Sequence, residues 1–442
     1  MNESMALSQH LLRLRATLRD FPPLLWSFLY FFFLLTGYYV LRPVRDAMGA
    51  AADVEAVFSP AMISWFAERG IALGDFTLQA LFTATFICMV LLQPVYGWLV
   101  SRFPRRVFLP VVYLVFIACL AGFYVAFQRE IPGRGALFFV WVAVFNLFAV
   151  TVFWSFMADI FSNAEARRVY GYIGAGGTLG GLTGPWLTKM LVVDVGVANM
   201  MLLSITCLAV CLICILRLAE WAEQAELDRG RSDDAAMGGR IMEGLRLVAR
   251  DPLLRFMAML VFFGVGVGTI LYNQQREIAL LVAEDTFRTR FYSNLDLWIN
   301  LLTLVIQVFL TRRVLTNYGV GPALLIPALA ILAGFAVLSA SPLPVLVAVV
   351  QIATRAGEFS LGKPARETIY TRVDRESRYK AAAAIDTVIY RGGDLTFAWV
   401  HKGLSLFGSS VVFGGGVLIA TAMTFGAWCV IREQAKLPAE LD

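Results

Sequence analysis

Long apolar stretches, separated by short polar and charged segments, recur along the whole 442-residue chain. A helix needs about 20 apolar residues to cross the hydrocarbon core of a bilayer, which is about 30 Å thick. Runs of this length predict membrane-spanning helices. Twelve such runs can be placed, at 24–41, 77–100, 107–127, 136–158, 169–192, 197–217, 253–272, 294–311, 321–340, 343–357, 382–401 and 408–431. The tenth is short, which leaves both a longer helix and a re-entrant segment open there.

A polar stretch from Glu220 to Arg250 separates the sixth run from the seventh and contains no apolar run long enough to span. The sequence therefore predicts an all-α membrane protein with an N-terminal bundle of six helices (1–217), a cytoplasmic linker (218–252) and a C-terminal bundle of six helices (253–442). Carriers built from two repeated halves have this layout, and they bind their substrate between the halves near the bilayer midplane.

Composition and charge agree with this interpretation. Hydrophobic residues make up 59% of the chain and charged residues only 16%, whereas an ordinary soluble domain has about 25% charged residues. With a cytoplasmic N-terminus, the segments after the second, fourth and eighth runs, the linker and the stretch from Arg355 to Lys380 collect most Lys and Arg inside, as the positive-inside rule requires. We therefore expect a multi-pass protein of a bacterial inner membrane with both termini in the cytoplasm.

The residues that usually build metal or cofactor sites are scarce. There are two histidines, His10 and His401, and the six cysteines lie in apolar runs without a CxxC pair, so the sequence predicts no metal site and no cofactor. The net charge of +5 does not imply nucleic-acid binding. The expected partners are membrane lipid and a small anionic solute, and the protein is expected to be a monomer.

Two segments carry motifs that indicate gating. The loop after the second run resembles the glycine, acid and basic loop of the major facilitator superfamily, with Ser101 in place of the usual Asp; a positive-inside cluster is the alternative. The fifth run ends in a glycine and proline pattern that resembles the antiporter motif of the same superfamily; tight packing of two helices is the alternative. The residues assigned to gating are Gly97, Arg102, Arg105, Arg106, Gly180, Gly184 and Pro185.

Polar and ionisable residues at membrane depth are costly unless they are paired or face a wet cavity, so they indicate a site. The candidates for substrate binding are Tyr38, Tyr39, Arg42, Arg45, Asn146, Trp154, Asn273, Gln274, Gln275, Tyr390 and Arg391. The candidates for charge partners or coupling are Asp46, Asp159, Glu358, Asp386 and Asp394. Interfacial anchoring of the arginines, and internal neutralisation of Arg391 by Asp386 or Asp394, are the structural alternatives.

Four segments resemble the ATP/ADP translocases of plastids and obligate intracellular bacteria and their shorter bacterial relatives: Leu41 to Asp46, Phe153 to Asp159, the glycine-rich helix after Arg167 and Arg168, and Asp386 to Asp394. The resemblance implies that Arg45 and Arg391 take the places of two cations, and Asp159 that of an acid, in nucleotide exchange. The family's seventh-helix acid falls near Gln274 or Gln275 and is missing, and Arg replaces Lys at both cation positions. A cationic cavity suited to an organic anion remains.

The resulting hypothesis is a secondary carrier, and not an enzyme, in which two six-helix halves rock about a central site. Arg45 and Arg391 would hold an organic anion, with nucleotide-like and phosphorylated solutes as candidates, and the nearby acids would orient the cations or exchange protons. Coupling by exchange and by protons both remain open. The rivals are a proton-driven exporter of drugs or metabolites, a membrane-embedded enzyme and a transport-dead scaffold.

Overall fold

A computed structural model gives the three-dimensional structure of the chain. It describes residues 23–51, 53–102, 105–161, 163–228, 241–282, 284–370, 373, 381–382 and 384–436. Within these ranges the secondary structure is helical, with no β-strand.

Twelve long helices, numbered α1 to α12 in chain order, coincide with the twelve predicted runs. They are α1 Pro23–Gly49, α2 Thr77–Arg102, α3 Arg105–Gln128, α4 Arg134–Ile160, α5 Asn163–Val195, α6 Asn199–Asp228, α7 Pro252–Ala279, α8 Asp285–Asn317, α9 Val320–Ala340, α10 Pro344–Tyr370, α11 Ile385–Ile389 with Tyr390–Ser405, and α12 Ser409–Gln434. Ten are long and apolar enough to cross a membrane. The other two are α5, which is rich in glycine and threonine, and α11, which carries several charges.

Short helical segments lie outside these twelve. Val54–Val57, Pro60–Ala67 and the 3-10 turn Leu73–Phe76 connect α1 to α2, and Ile241–Arg250 precedes α7. Polar residues extend two of the long helices beyond the predicted runs. Helix α8 begins at Asp285 rather than near 294, and α10 continues through a π-helical turn at Glu358–Gly362 to Tyr370. The longer helix is therefore the correct alternative for the tenth run.

The buried apolar residues form one large core in each half. The first core contains residues of α1 and α3 to α6, and the second contains residues from Val248 through α7, α9, α10, α11 and α12. Smaller clusters join the halves where α1 and α7 end and α8 begins, and one of these contains Ala47, Ala50, Ala279, Tyr292 and Leu295. We call this the far side of the membrane, and the side on which α1 begins at Pro23 the near side.

The glycines of α5 pack against α1 within the first half. A Cβ atom at Gly176 would lie 2.7 Å from the carbonyl oxygen of Phe28, and one at Gly184 would lie 2.8 Å from that of Thr36. A Cβ at Gly180 would overlap the carbonyl oxygen of Phe32. Glycine every fourth residue therefore lets the two backbones approach closely, which is how helices associate in lipid.

Candidate functional site

A cavity of about 300 Å³ lies between the two halves. Helices α1, α2, α4, α7, α10 and α11 contribute to its wall. Eight of its lining residues are among those predicted from the sequence: Tyr38, Tyr39, Arg42, Arg45, Asn146, Tyr390, Arg391 and Asp394. The others are Leu35, Phe82, Thr85, Phe139, Ala143, Thr269, Tyr272, Arg355 and Phe359.

Asp46 joins the halves at the far end of this cavity. Its carboxylate accepts hydrogen bonds from Arg45 Nη2 at 2.6 Å and Nε at 2.8 Å, and from the Tyr272 hydroxyl of α7 at 2.9 Å. Asp46 is only 3% exposed, so its charge depends on these donors. Asp46 therefore orients Arg45 and also connects the first half to the second.

Arg42 lies between two carboxylates, one in each half. Its Nη1 atom is 3.4 Å from Asp296 of α8, and its Nε atom is 3.9 Å from Asp46 one helical turn away. Asp296 is 4% exposed. Asp296 is not among the residues predicted from the sequence, because the apolar run begins at 294 and places this acid at a helix end. The signal lies in the polar residues from Asp285, which extend the start of α8 beyond the apolar run.

Arg391 and Asp394 form an ion pair of 3.1 Å, and Asp394 also accepts a hydrogen bond of 3.0 Å from the Thr269 hydroxyl. The Arg391 guanidinium lies 5.3 Å from the ring centroid of Tyr390. Arg391 also lines an adjoining cavity of about 350 Å³ with Asp386 and apolar residues of α2 and α4. This second cavity lies toward the near side, so Arg391 stands between the centre of the protein and that side.

Arg355 of α10 lines the central cavity without an acidic partner. Among the described residues no carboxylate lies within 4.0 Å of its guanidinium, and its buried Nε atom has no hydrogen-bond acceptor. The sequence alone groups Arg355 with the cytoplasmic cations, because the tenth apolar run ends at 357. In the longer helix it is close to the midpoint of the span.

Five predicted residues lie elsewhere in the described structure. Trp154 packs at 5.2 Å centroid distance against Phe31 and Tyr170 inside the first half. On α7, Asn273 donates to the Thr269 carbonyl, Gln274 contacts His401 at 3.0 Å, and Gln275 is buried. On α10, Glu358 pairs with Arg366 at 2.6 Å beside the cavity. At the end of α7 it is Tyr272 that faces the cavity.

Of the predicted gating residues, Gly97, Arg102, Arg105 and Arg106 belong to α2 and α3, and their side chains lie outside the described part of the structure. The same holds for the side chain of Asp159 in α4. Gly180 and Gly184 face α1, in agreement with the packing alternative.

Pro185 of α5 has a different consequence. It has no N–H to donate to the carbonyl of Gly181, and the Asn300 side chain of α8 donates to that oxygen at 2.6 Å.

A sequence model of the Major Facilitator Superfamily matches residues 47–393. The chain belongs to this superfamily. Membership, together with the two bundles, confirms the predicted fold class, and it supports a transporter over a membrane enzyme. The match begins near the end of α1 and ends within α11, so it includes the residues of the central cavity from Phe82 to Arg391.

Two curated relatives of this superfamily member are ADP,ATP carrier protein 1 of Chlamydia pneumoniae and the protein of the same name of Chlamydia trachomatis serovar D. Each is 22% identical in an alignment 300 residues long, which covers 59% of this chain and 58% and 56% of the respective relative. The matched region thus spans less than three fifths of their length. The predicted resemblance to ATP/ADP translocases is confirmed as a sequence similarity.

Solved structures of other transporters share the fold. A mutant of the nucleoside transporter NupG has a TM-score of 0.63 at 13% identity and covers 93% of this chain and 99% of its own. An auto-inhibited POT family peptide transporter gives 0.61 at 12% identity, with 95% and 98% covered. A D-xylose-proton symporter gives 0.60 at 15%, with 90% and 96% covered. At such low sequence identities, the similarity to these structures shows a shared fold.

Proposed function

We propose that this protein is a secondary transporter that moves an organic anion across a bacterial inner membrane by alternating access. The observation that carries the proposal is the central cavity, where, among the described residues, four arginines and one carboxylate line the wall. Arginine binds carboxylate and phosphate groups through two parallel hydrogen bonds. A wall of this composition favours an anionic passenger.

The position of these cations argues for a water-filled path. Arginines at the centre of a bilayer are rare, and they face a bundle interior or an aqueous cavity because exposure to lipid is costly. Arg42, Arg45, Arg355 and Arg391 all line one cavity between the two halves. Water and solute reaching this cavity from one side at a time would keep the arginines hydrated or paired throughout a transport cycle.

The contacts between the halves fit a state that is closed on the far side. Hydrogen bonds join Tyr272 to Asp46, Arg276 to the Gly49 carbonyl, and Gln79 to the Ala398 carbonyl. All three lie in the far half of the membrane. Opening that side requires these bonds and the Arg42–Asp296 ion pair to break, while the near-side cavity beside Arg391 closes. This exchange of contacts is the rocking movement that the proposal requires.

With the termini in the cytoplasm, as the positive-inside pattern predicts, the near side is cytoplasmic and the structure is inward-facing. We propose a monomer, since each half already covers its partner at the cavity. Asp394 and Asp46 orient the arginines, and Asp386 borders the route to the near side.

A proton-driven exporter of drugs or metabolites is the second candidate. The observation that favours it is the adjoining cavity, whose wall is formed mainly by apolar residues such as Phe86, Met89, Val90 and Leu147. Substrate charge separates the two candidates, because an exporter of apolar compounds has no use for the cationic wall of the central cavity.

Uptake into proteoliposomes tests the proposal. A labelled panel of nucleosides, sugars, carboxylates, sugar phosphates and nucleotides is offered with and without a pH gradient, and with and without internal solute. We expect saturable uptake of anions that is blocked when Ala143→Cys, in the cavity wall, is coupled to a bulky maleimide; the same treatment of the unsubstituted protein is the control. Stimulation by internal solute indicates exchange, and stimulation by the gradient indicates proton coupling. Uptake of neutral compounds alone would contradict the proposal.

A further inference from the structure

We propose that Arg355 binds the negatively charged group of the passenger and that this passenger carries a single negative charge. The inference rests on the proposed transport function and specifies the chemistry of its site. It concerns a residue and a charge class that the sequence motifs do not identify.

The position of Arg355 is suited to binding a ligand. It is near the middle of α10, just before the π-helical turn at Glu358–Gly362. Its guanidinium lies over Gly268 of α7, where an added Cβ would be 3.5 Å from Nη2. The absence of a side chain at Gly268 lets the guanidinium lie close to the backbone of α7. Tyr390 and Phe359 line the central cavity with Arg355.

The other three arginines of the cavity each have a carboxylate partner. Arg42 is paired with Asp296 at 3.4 Å, Arg45 with Asp46 at 2.6 Å, and Arg391 with Asp394 at 3.1 Å. Among the described residues, Arg355 has none, and its Nε atom is buried without an acceptor. A guanidinium within a membrane span that has no carboxylate partner is costly unless water or a ligand solvates it. An incoming anion therefore gains more at Arg355 than at an arginine whose carboxylate must first be displaced.

A charge count indicates the class of passenger. The four arginines of the cavity face three carboxylates, Asp46, Asp296 and Asp394, which leaves one positive charge. The neighbouring Glu358–Arg366 pair adds no net charge. Asp386 borders the other cavity, in the field of Lys363 and Arg366.

A carboxylate or a phosphodiester neutralises this site. A phosphate monoester carries about −1.5 to −2 charges at pH 7, and di- and triphosphates carry more, so each would bring more negative charge than the one positive charge of the site compensates. The curated relatives are named as carriers of ADP and ATP. The charge of this cavity points to a different passenger: an organic monoanion whose carboxylate or phosphodiester group is held by Arg355 and whose body lies against the tyrosines.

The test groups the uptake panel by charge in proteoliposomes of the full-length protein. The neutral class contains nucleosides and sugars. The class with one charge contains monocarboxylates in one arm and cyclic nucleotides, as phosphodiesters, in the other. The third class contains dicarboxylates, sugar phosphates and nucleoside mono-, di- and triphosphates. Each class is measured for the unsubstituted protein and for Arg355→Gln, Arg355→Lys and the exposed control Arg290→Gln.

We expect uptake in the class with one charge, with the two arms telling which oxyanion is recognised. Arg355→Gln should raise KM roughly tenfold to a hundredfold, as expected when a hydrogen-bonded charge contact is lost. Arg355→Lys should be intermediate because it keeps the charge and loses the planar fork. Arg290→Gln should behave like the unsubstituted protein.

Thermal unfolding in detergent separates binding from a structural role. Because no carboxylate of the described residues lies within 4.0 Å of Arg355, Arg355→Gln should unfold at the same temperature as the unsubstituted protein or higher. Arg45→Gln, which removes the nearest cation of the buried Asp46, should unfold at a lower temperature. Saturable uptake confined to multiply charged anions, or uptake unchanged in Arg355→Gln, would overturn this inference and leave the proposed anion transport standing. Uptake of neutral solutes alone, or of none, would overturn both.

Discussion

Asn300 of α8 donates a hydrogen bond of 2.6 Å to the carbonyl oxygen of Gly181 in α5. In a regular helix this oxygen accepts from the N–H four residues later, but that residue is Pro185, which has none. A side chain of the second half therefore satisfies a carbonyl that proline leaves unpaired in the first half. The glycine and proline pattern of α5 thus has two effects. Its glycines let α1 pack closely, and its proline leaves the Gly181 carbonyl free to accept a hydrogen bond from the opposite half.

Replacement of Asn300 by alanine should weaken the closure of the halves. Loss of one buried hydrogen bond costs about 1 kcal/mol, which is about a fivefold change in the equilibrium between the closed and open far side. The measurement is the rate at which a membrane-impermeant maleimide labels Ala143→Cys from the far side, and Asn300→Ala should increase it.

The matched control combines Asn300→Ala with Pro185→Ala. Alanine at 185 restores an N–H for the Gly181 carbonyl, so the further effect of Asn300→Ala should largely disappear. Equal effects of Asn300→Ala with proline and with alanine at 185 would show that the carbonyl of Gly181 is not the relevant acceptor.

Asp46 should be necessary for stability because it compensates Arg45. Asp46→Asn leaves a buried guanidinium without its carboxylate, and breaking a buried ion pair in this way costs about 3 to 5 kcal/mol. Tyr272→Phe is the control: it removes the 2.9 Å hydrogen bond to Asp46 and leaves the ion pair intact, for about 1 kcal/mol. Unfolding in denaturant measures both. If Asp46→Asn is no less stable than Tyr272→Phe, Arg45 does not depend on Asp46.

Asp296 should hold the far side closed rather than hold the fold together. In Asp296→Asn, Arg42 loses its 3.4 Å partner in the second half but retains Asp46 at 3.9 Å on its own helix. We therefore expect faster labelling of Ala143→Cys from the far side, with a smaller loss of stability than in Asp46→Asn. Slower labelling, or labelling unchanged from that of the parent, would contradict the assignment of the Arg42–Asp296 pair to closure.

The packing of α5 against α1 gives a prediction with a control on the same helix. Gly180→Ala places a methyl group against the Phe32 carbonyl and should force α1 and α5 apart, with loss of stability of about 1 to 3 kcal/mol. A Cβ at Gly171 would have no atom within 4 Å, and Gly171→Ala should be neutral. Thermal unfolding of the two variants in detergent checks this. Equal behaviour of the two alanine variants would mean that α1 and α5 tolerate a wider separation.

Periodic apolar runs predicted the helices well because the bilayer imposes a length and a composition on each span. The same rule explains why Arg355 and Asp296 were missed. A window of hydropathy ends a span where polar residues begin, but a carrier places polar residues inside its spans, facing the cavity. The start of α8 was therefore placed too late and the end of α10 too early, so Asp296 and Arg355 appeared to lie at the ends of their spans, away from the central network.

Which polar side chain faces the cavity depends on the rotation of each helix, and hydropathy does not determine this. Asn273, Gln274 and Gln275 carry the polar signal at the end of α7, but Asn273 and Gln274 bond within the second half, Gln275 is buried, and Tyr272 reaches Asp46. Arg42, Arg45 and Arg391 could be identified because a cation within an apolar run must face a cavity or the interior of the bundle to avoid lipid. Their partners, on other helices, required the tertiary structure.

The central claim is that arginines between the two halves bind a transported anion, and Arg391 tests it most directly. The measurement is the initial rate of uptake of the best-transported anion of the panel by proteoliposomes containing the unsubstituted protein, Arg391→Gln, Arg391→Lys or Arg290→Gln, with equal amounts of folded protein. The account predicts that uptake is lost in Arg391→Gln, partly retained in Arg391→Lys and unchanged in Arg290→Gln. Full uptake by a folded Arg391→Gln protein would contradict it.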